Sequence, residues 1–466
     1  MTKKTAIYFL LLLGLCTPGK PYAQDRMLLT EQSFIEQVKS FHPLAIEAGL
    51  TPQKAAADLL AARGNFDPQL DYSNMNKTLD GTAYYRYRQA ELKLPTAAGV
   101  TVKAGFENSS GQYINPELTQ GVASYLGVEV PLLNGLLLDK KRAALQQACI
   151  FREQSEADRQ AMLNDLFLKA YAAYWDWAGA YEVYRIYNYF LDVSSQRMRL
   201  VNISFRNGER SMGDTVEAFA QWQSFHLLQL EALQQYNIKS LELSNYLWTK
   251  EGSPYLLPPG WLPDTLALLQ SVFVPDSALA AQRLEDHPLL QSARYKLDRL
   301  GVEKRYKFQQ LLPTVLLKAN LLSKEYFTYK GLDAAYFNNN YKWGIQVNFP
   351  LLLRQARGEY RATRIKIQEA DLALQQKRWE LSNKIRQYTT ELGLLQEQLF
   401  NTSSMQQSYR SLLRLEDLKF GQGESSLFLV NSRENKLLEA QKKLIDLRIK
   451  YLKTVAYWKW SAGWME

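Results

Sequence analysis

The chain has 466 residues, a formal net charge of +9 and 46% hydrophobic residues. With three histidines in all, no His/Cys metal cluster, phosphate-cradling glycine loop or serine-nucleophile elbow can be assembled, which speaks against an enzyme and implies no cofactor. No stretch beyond the N-terminus reaches the roughly 18 consecutive apolar residues of a membrane helix, leaving a soluble protein or a β-barrel; the positive charge is spread over mixed-sign helical stretches, the pattern of a solvated face and not of a nucleic-acid stripe.

Lys3 and Lys4 precede an apolar run over 6–15, too short to span a bilayer and of signal-peptide kind. Cleavage after Ala23 removes 1–23; the alternative is a lipidated Cys16, with Leu15 bulky for such a site. Both imply export. After cleavage at Ala23 the remaining cysteine is Cys149, which excludes an intramolecular disulfide and reads as a buried, inert thiol.

The rest of the chain is one pattern written twice. His42-Pro43-Leu44 recurs 245 positions later as His287-Pro288-Leu289, and Pro68 as Pro313. Val130-Pro131-Leu132-Leu133 returns after 219 as Phe349-Pro350-Leu351-Leu352, and Arg142-Ala143 as Arg361-Ala362. Phe205-Arg206-Asn207-Gly208-Glu209 returns after 215 as Phe420-Gly421-Gln422-Gly423-Glu424. The fall from 245 to 219 leaves 26 extra residues in the first copy between Pro68 and Pro131.

In chain order, a helix over 30–64 opens the first copy, and strand-like segments at 70–75, 84–94, 101–106 and 121–130 follow, rich in Tyr and Val. The 26 extra residues read as an added β-hairpin; barrel wall, cell surface and neck stay open as its place. From 136 to 205 there is no proline, and Gly179 alone interrupts. Seventy helical residues would run about 105 Å, with apolar side chains in steps of three and four from Phe167 through Ala170, Tyr174, Trp177 and Tyr181 to Tyr184. That period predicts helices packed side by side, and about two-thirds of the aromatics read as helix core. A turn over 207–213 reverses the chain into a helix at 214–248. Five prolines over 249–276 make an extended connector. The second copy then gives a helix at 277–311, a strand near 343–349 where Ile345, Val347 and Phe349 alternate with polar neighbours, a long helix over 355–420, a turn at 421–425 and a helix at 426–460.

Order, lengths and turns resemble the TolC family of outer-membrane efflux proteins, over essentially the whole mature chain. The family's hairpin turn, aromatic-x-x-Gly with an acid six residues on, is matched by Phe205, Gly208 and Asp214; Phe420 and Gly423 match again, with Leu429 in the acid's place. The two Pro-Leu-Leu segments resemble its strand-to-helix junctions, after which Arg142 and Arg361 begin the long helices.

The resemblance implies a mainly α fold with membrane β-strands: two structural repeats, each with two barrel strands, and a long periplasmic α-helical barrel plus a transmembrane β-barrel shared by a homotrimer. Domains follow as 1–23 signal peptide, 24–248 first repeat (strands about 70–130, helix pair 134–248), 249–276 connector, and 277–466 second repeat (strands about 314–350, helix pair 353–462). It also implies a passive exit duct of a tripartite efflux or type I secretion system in the outer membrane. Its partners would be a periplasmic adaptor (membrane fusion) protein, an inner-membrane pump of RND or ABC type, and outer-membrane lipid, with no nucleic acid. Candidate gate residues are Asp214, Glu217, Leu429 and Ser432; Asp214 and Glu217 fit equally an N-cap and its capping-box partner. The candidate adaptor-docking tip is Asn207, Gly208, Arg210, Ser211, Gly423, Ser425 and Leu427. His42 and His287, both before proline, read as structural helix-end residues. The alternative is an exported coiled-coil scaffold without a pore, which gives the strand segments no role.

Overall fold

The structure, a computed structural model, describes residues 27–115, 118–265, 273–324 and 339–465. The expected signal segment with Cys16, and most of the loop expected before residue 340, lie outside them. Strand β1 (Leu28–Leu29) leads into α1 (Glu31–Phe41) and α2 (Pro43–Arg63), then a 3₁₀ turn, Gly64–Phe66. Four strands follow: β2 (Gln69–Leu79), β3 (Thr82–Pro95), β4 (Thr101–Ser110) and β5 (Gly121–Pro131). Helices α3 (Lys140–Arg206) and α4 (Met212–Ser244) close the first copy. After the connector, with β6 (Leu262–Pro263), come α5 (Ser277–Arg283), α6 (Pro288–Gln309), β7 (Thr314–Lys324), β8 (Tyr341–Asn348), α7 (Arg354–Gly421) and α8 (Leu427–Ser461).

The expected fold class holds: a mainly helical chain with one substantial sheet. Helices α3 and α7 run 67 and 68 residues, about 100 Å each. No proline breaks them, and among the described residues no helix is apolar enough to cross a membrane. Helix α7 begins at Arg354, so Arg361 lies two turns inside it and does not open it, as its sequence position had suggested. Arg142 stays at the start of α3, where its backbone N–H donates to Asp139 Oδ1 at 2.7 Å.

The chain divides into two compact units. Among the described residues, one gathers 27–42, 170–265 and 397–453. Its core is aromatic where the steps of three and four place it: Tyr174, Trp177, Phe190 and Phe225 are almost fully buried. Tyr174 stacks on Phe34 at 5.7 Å and donates its hydroxyl proton to Leu29 O at 2.8 Å. That fixes the two-residue parallel pair of β1 with β6, which also anchors the connector. The lone glycine of α3 has a packing cause: a Cβ on Gly179 would collide with the Ile449 side chain, so α8 packs close against α3 there.

The other unit gathers 43–169, 273–396 and 454–466. It holds one six-stranded sheet of order β2-β3-β4-β5-β7-β8, antiparallel at every step. By position after Pro68 and Pro313, β2 matches β7, and by position before Pro131 and Pro350, β5 matches β8. The extra hairpin is therefore β3–β4, and it lies within the sheet. Its entry is a two-residue turn with φ of +50° at Asp80 and +74° at Gly81, the left-handed pair that a type I′ hairpin needs. Cys149 departs from expectation. It is exposed on α3, whose inward side here is formed by Ala143, packed with Leu138 and Val302, and by Ile150 next to the cysteine.

Candidate functional site: a two-faced sheet and two helical turns

Strand register decides which side chains share a face, since alternate residues point to opposite sides. Leu70, Leu92, Ala104, Leu126, Leu321 and Tyr341 stand opposite one another across all six strands. On the same face, Val128, Ala319 and Trp343 make the next rung, then Val130, Leu317 and Ile345. The opposite face carries Asp71, Glu91, Lys103, Glu129, Lys318 and Lys342.

Ion pairs join the strands on that polar face. Lys93 Nζ lies 2.6 Å from Asp71 and 3.1 Å from Glu91, and Lys103 pairs with Glu129. Tyr125 on β5 crosses over Gly105 on β4 to donate to Glu91 Oε2 on β3 at 2.5 Å. Gly105 leaves the room: a Cβ there would stand 2.5 Å from the tyrosine ring. The outer strands β2 and β8 have no neighbour on their far sides among the described residues, and Tyr72, Trp343, Ile345 and Val347 are exposed. Such a sheet suits lipid on one side and water on the other.

At the far ends of the long helices the two turns share one backbone. Glu209 N–H bonds Ser204 O and Glu424 N–H bonds Lys419 O, both at 2.9 Å, and Gly208 and Gly423 both have φ +81°. This is the Schellman ending, whose left-handed residue favours glycine. Side chains then diverge. Ser211 caps α4: its Oγ accepts from Asp214 N–H at 3.2 Å, and Asp214 Oδ2 accepts from Ser211 N–H at 3.0 Å. The capping box thus sits one turn earlier than the sequence suggested, with Ser211 as N-cap and Asp214 as its partner. Glu217 accepts instead from Asn431 Nδ2 at 3.1 Å. In the second turn Leu429 N–H donates to Ser426 Oγ at 3.4 Å, and Leu429 has no group to answer with.

Of the expected tip, Asn207, Gly208, Ser211 and Gly423 are exposed and Ser425 is half-buried. Arg210 lies over the Phe420 ring at 4.2 Å. Leu427 is fully buried with Val201 and Ala218 and so cannot face a partner. Of the gate candidates, Leu429 and Ser432 are exposed, while Asp214 and Glu217 are half-buried.

One cluster was not anticipated. Arg197 Nη1 lies 2.6 Å from Glu434, which is 1% exposed, and Arg197 Nη2 lies 3.5 Å from Asp417. Burial pushes the Glu434 carboxyl above the usual carboxylate range, with Arg197 opposing. A sequence signal existed: Glu434 interrupts the apolar steps Leu427, Val430 and Leu437. His42 and His287 sit at helix ends and are buried, which lowers both below the usual histidine range. His287 Nδ1 accepts from Leu289 N–H at 3.2 Å as the N-cap of α6, and its Nε2 lies 3.2 Å from Trp460 O.

Residues 279–457 match the family model described as outer membrane efflux protein. Solved structures share the fold across most of their length. The Campylobacter jejuni CmeC outer membrane channel has a TM-score of 0.66 at 15% identity, covering 93% of this chain and 85% of that one. Vibrio cholerae outer membrane protein VceC gives 0.65 at 18%, covering 93% and 96%. The Neisseria gonorrhoeae MtrE outer membrane channel gives 0.65 at 15%, covering 93% and 88%. Residues 279–457 thus match that family, and most of the chain shares the fold of these outer membrane channels. No curated protein sequence matches the chain.

Proposed function

We propose that three copies of the chain share one β-barrel, continued by one helical tunnel, as the passive exit duct of a tripartite efflux or type I secretion system. The observation that carries this reading is the six-stranded sheet with one apolar face, one charged face and two unpaired outer strands. Lipid forbids unpaired strand edges, and a barrel closed from one such chain would be too narrow for an aqueous lumen. A pore-free scaffold in the aqueous periplasm would leave the apolar sheet face bare to water, at a cost that grows with its area.

On this reading the chain divides into a first repeat at 24–248, a connector at 249–276 and a second repeat at 277–466. The exposed turn residues Asn207, Gly208, Ser211 and Gly423, with Arg210 and Ser425, meet a periplasmic adaptor that couples the duct to an inner-membrane pump. Threefold symmetry turns Asp214 and Glu217 into rings of negative charge at the periplasmic constriction, with Leu429 and Ser432 supplying uncharged positions between them.

Single-channel recording of detergent-extracted protein in a planar bilayer tests the proposal. Discrete long-lived steps are expected, with cation preference reduced in Asp214→Asn and Glu217→Gln. Protein that stays folded but never enters the bilayer would refute the duct.

A further inference from the structure

We infer that the β3–β4 hairpin is a membrane-spanning part of the barrel wall, so that each copy supplies six strands and a trimer closes a barrel of about 18 strands. This rests on the shared-barrel reading above. Two strands per repeat, as the family resemblance implies, would give about 12. Three observations place the hairpin in the wall.

First, the hairpin obeys the same two-sided rule as its neighbours. On β4, Val102, Ala104 and Phe106 point to the apolar face, while Lys103 and Glu107 point to the charged one. On β3, Leu92 and Leu94 share the apolar face and Glu91 and Lys93 the charged one. A hairpin lying on the cell surface would need no apolar side. Its charged side is also joined to β2 and β5 on either hand, through Lys93 to Asp71 and Lys103 to Glu129.

Second, the apolar stretch climbs across the sheet from β8 to β2. On β8 it spans Tyr341 to Val347, and on β7 its centre lies between Leu317 and Ala319. By register the centre passes through Val128 on β5, Ala104 on β4 and Leu92 on β3, and ends near Leu70 and Tyr72 on β2. Across the five steps the centre moves about four residues, an average of roughly 2.6 Å for each ~4.8 Å step sideways, which corresponds to a strand tilt of about 30°. Tilted barrel strands must stagger in this way to keep a level band in lipid. Both hairpin strands lie on the line set by the others. Above the band, Asn74, Arg86, Arg88 and Asn108 on the same face mark where the strands leave the hydrocarbon.

Third, the connections alternate as barrel connections do. The β3–β4 turn at 96–100 lies at the helical end, with Gly99 (φ +86°) against the Arg142 guanidinium at the start of α3. Strand β4 ends and β5 begins at the opposite end. The two-residue turn between β2 and β3 at Asp80–Gly81 lies at that same opposite end, so successive connections alternate between the two ends, as in an up-and-down barrel. An even number of strands lets β8 of one copy run antiparallel to β2 of the next, with Ile345 and Tyr72 on one continuous apolar surface.

Because diameter rises roughly in proportion to strand number, the mouth is about 1.5 times as wide as a 12-stranded one and its cross-section about twice as large. A lumen of that width, lined by Lys103, Glu107, Lys318 and Lys342, does not sieve small solutes. It suits bulky polar cargo, and leaves selection to the helical end.

Electron cryomicroscopy of the full chain in lipid nanodiscs decides the matter. A closed ring of about 18 strands with β3–β4 in register is the expected result. A closed threefold ring of about 12 strands, with the hairpin outside it, would overturn the inference and leave the duct standing. Absence of any closed threefold ring would overturn both. Single cysteines in a Cys149→Ser background give an independent reading with a membrane-impermeant maleimide on intact membranes. Glu107→Cys should label through the lumen at least tenfold faster than Ala104→Cys, which faces lipid. Equal rates at the two sites would place the hairpin outside the wall.

Discussion

The two helical turns share a backbone and differ in chemistry. Both end a helix with glycine at φ +81° and the same pair of backbone hydrogen bonds. A serine begins the next helix in each case, Ser211 or Ser426, and three residues later one copy has Asp214 and the other Leu429. The first box is reciprocal and the second one-sided. Main-chain geometry at such a turn is set by the freedom of glycine and by satisfying orphaned helix-end groups. Side chains at the next helix start are not bound by that requirement, so one copy can carry charge where the other carries a leucine.

The largest effect is expected where the two copies are tied together. Arg197→Met strands Glu434 without its cation, and should cost about 3–5 kcal/mol at neutral pH, measured by thermal unfolding. The loss should shrink as pH falls, because Glu434, already raised by burial, takes up a proton and its uncompensated charge disappears. A loss independent of pH would mean that packing of the arginine stem is the main contribution.

Next come the glycines. Gly208→Ala and Gly423→Ala each force a Cβ into the left-handed region, at about 1–2 kcal/mol. The costs should match, since no side chain would meet a Cβ at either site. Unequal costs would show that the turns are held differently.

The capping difference predicts smaller, opposite changes. Asp214→Ala should lose about 1 kcal/mol, whereas Leu429→Asp should gain about 0.3–1 kcal/mol by completing the second box. A loss at Leu429→Asp would show that its partial exposure hides a needed apolar contact.

The smallest effect sits at the matched histidines. Both are held neutral, below the usual histidine range. Their stability contribution is therefore present at neutral pH and declines as pH falls through the ordinary histidine range toward their lowered values. His287→Gln should flatten the acid limb of a melting-temperature profile. Its amide oxygen can still accept from Leu289, so the neutral-pH value should change less.

Much of this was legible beforehand because it rests on period and punctuation. The absence of proline over 136–205 and the steps from Phe167 to Tyr184 sufficed for a long packed helix, and Tyr-rich runs between prolines sufficed for strands. What escaped depends on partners far away in sequence. Whether Cys149 or Ala143 faces inward is decided by Val302. The burial of Leu427 comes from Val201 and Ala218. The pairing of Leu28–Leu29 with Leu262–Pro263 has no period to find. The capping box was read one turn late because Asp214 and Glu217 imitate the same spacing in sequence, and only φ and ψ single out Ser211. The hairpin could be recognised from its extra length, but its place in the sheet needed the register.

The bare outer strands also bear on the protein's life before assembly. Among the described residues a single copy carries two open edges, β2 and β8, flanked by exposed Tyr72, Trp343 and Ile345. Such edges template pairing with any extended chain they meet. Lys77 and Lys342 are slight deterrents along edges of 11 and 8 residues. If three copies share one barrel as proposed, pairing of these edges between copies competes with off-pathway pairing, and the balance between assembly and aggregation shifts with protein concentration.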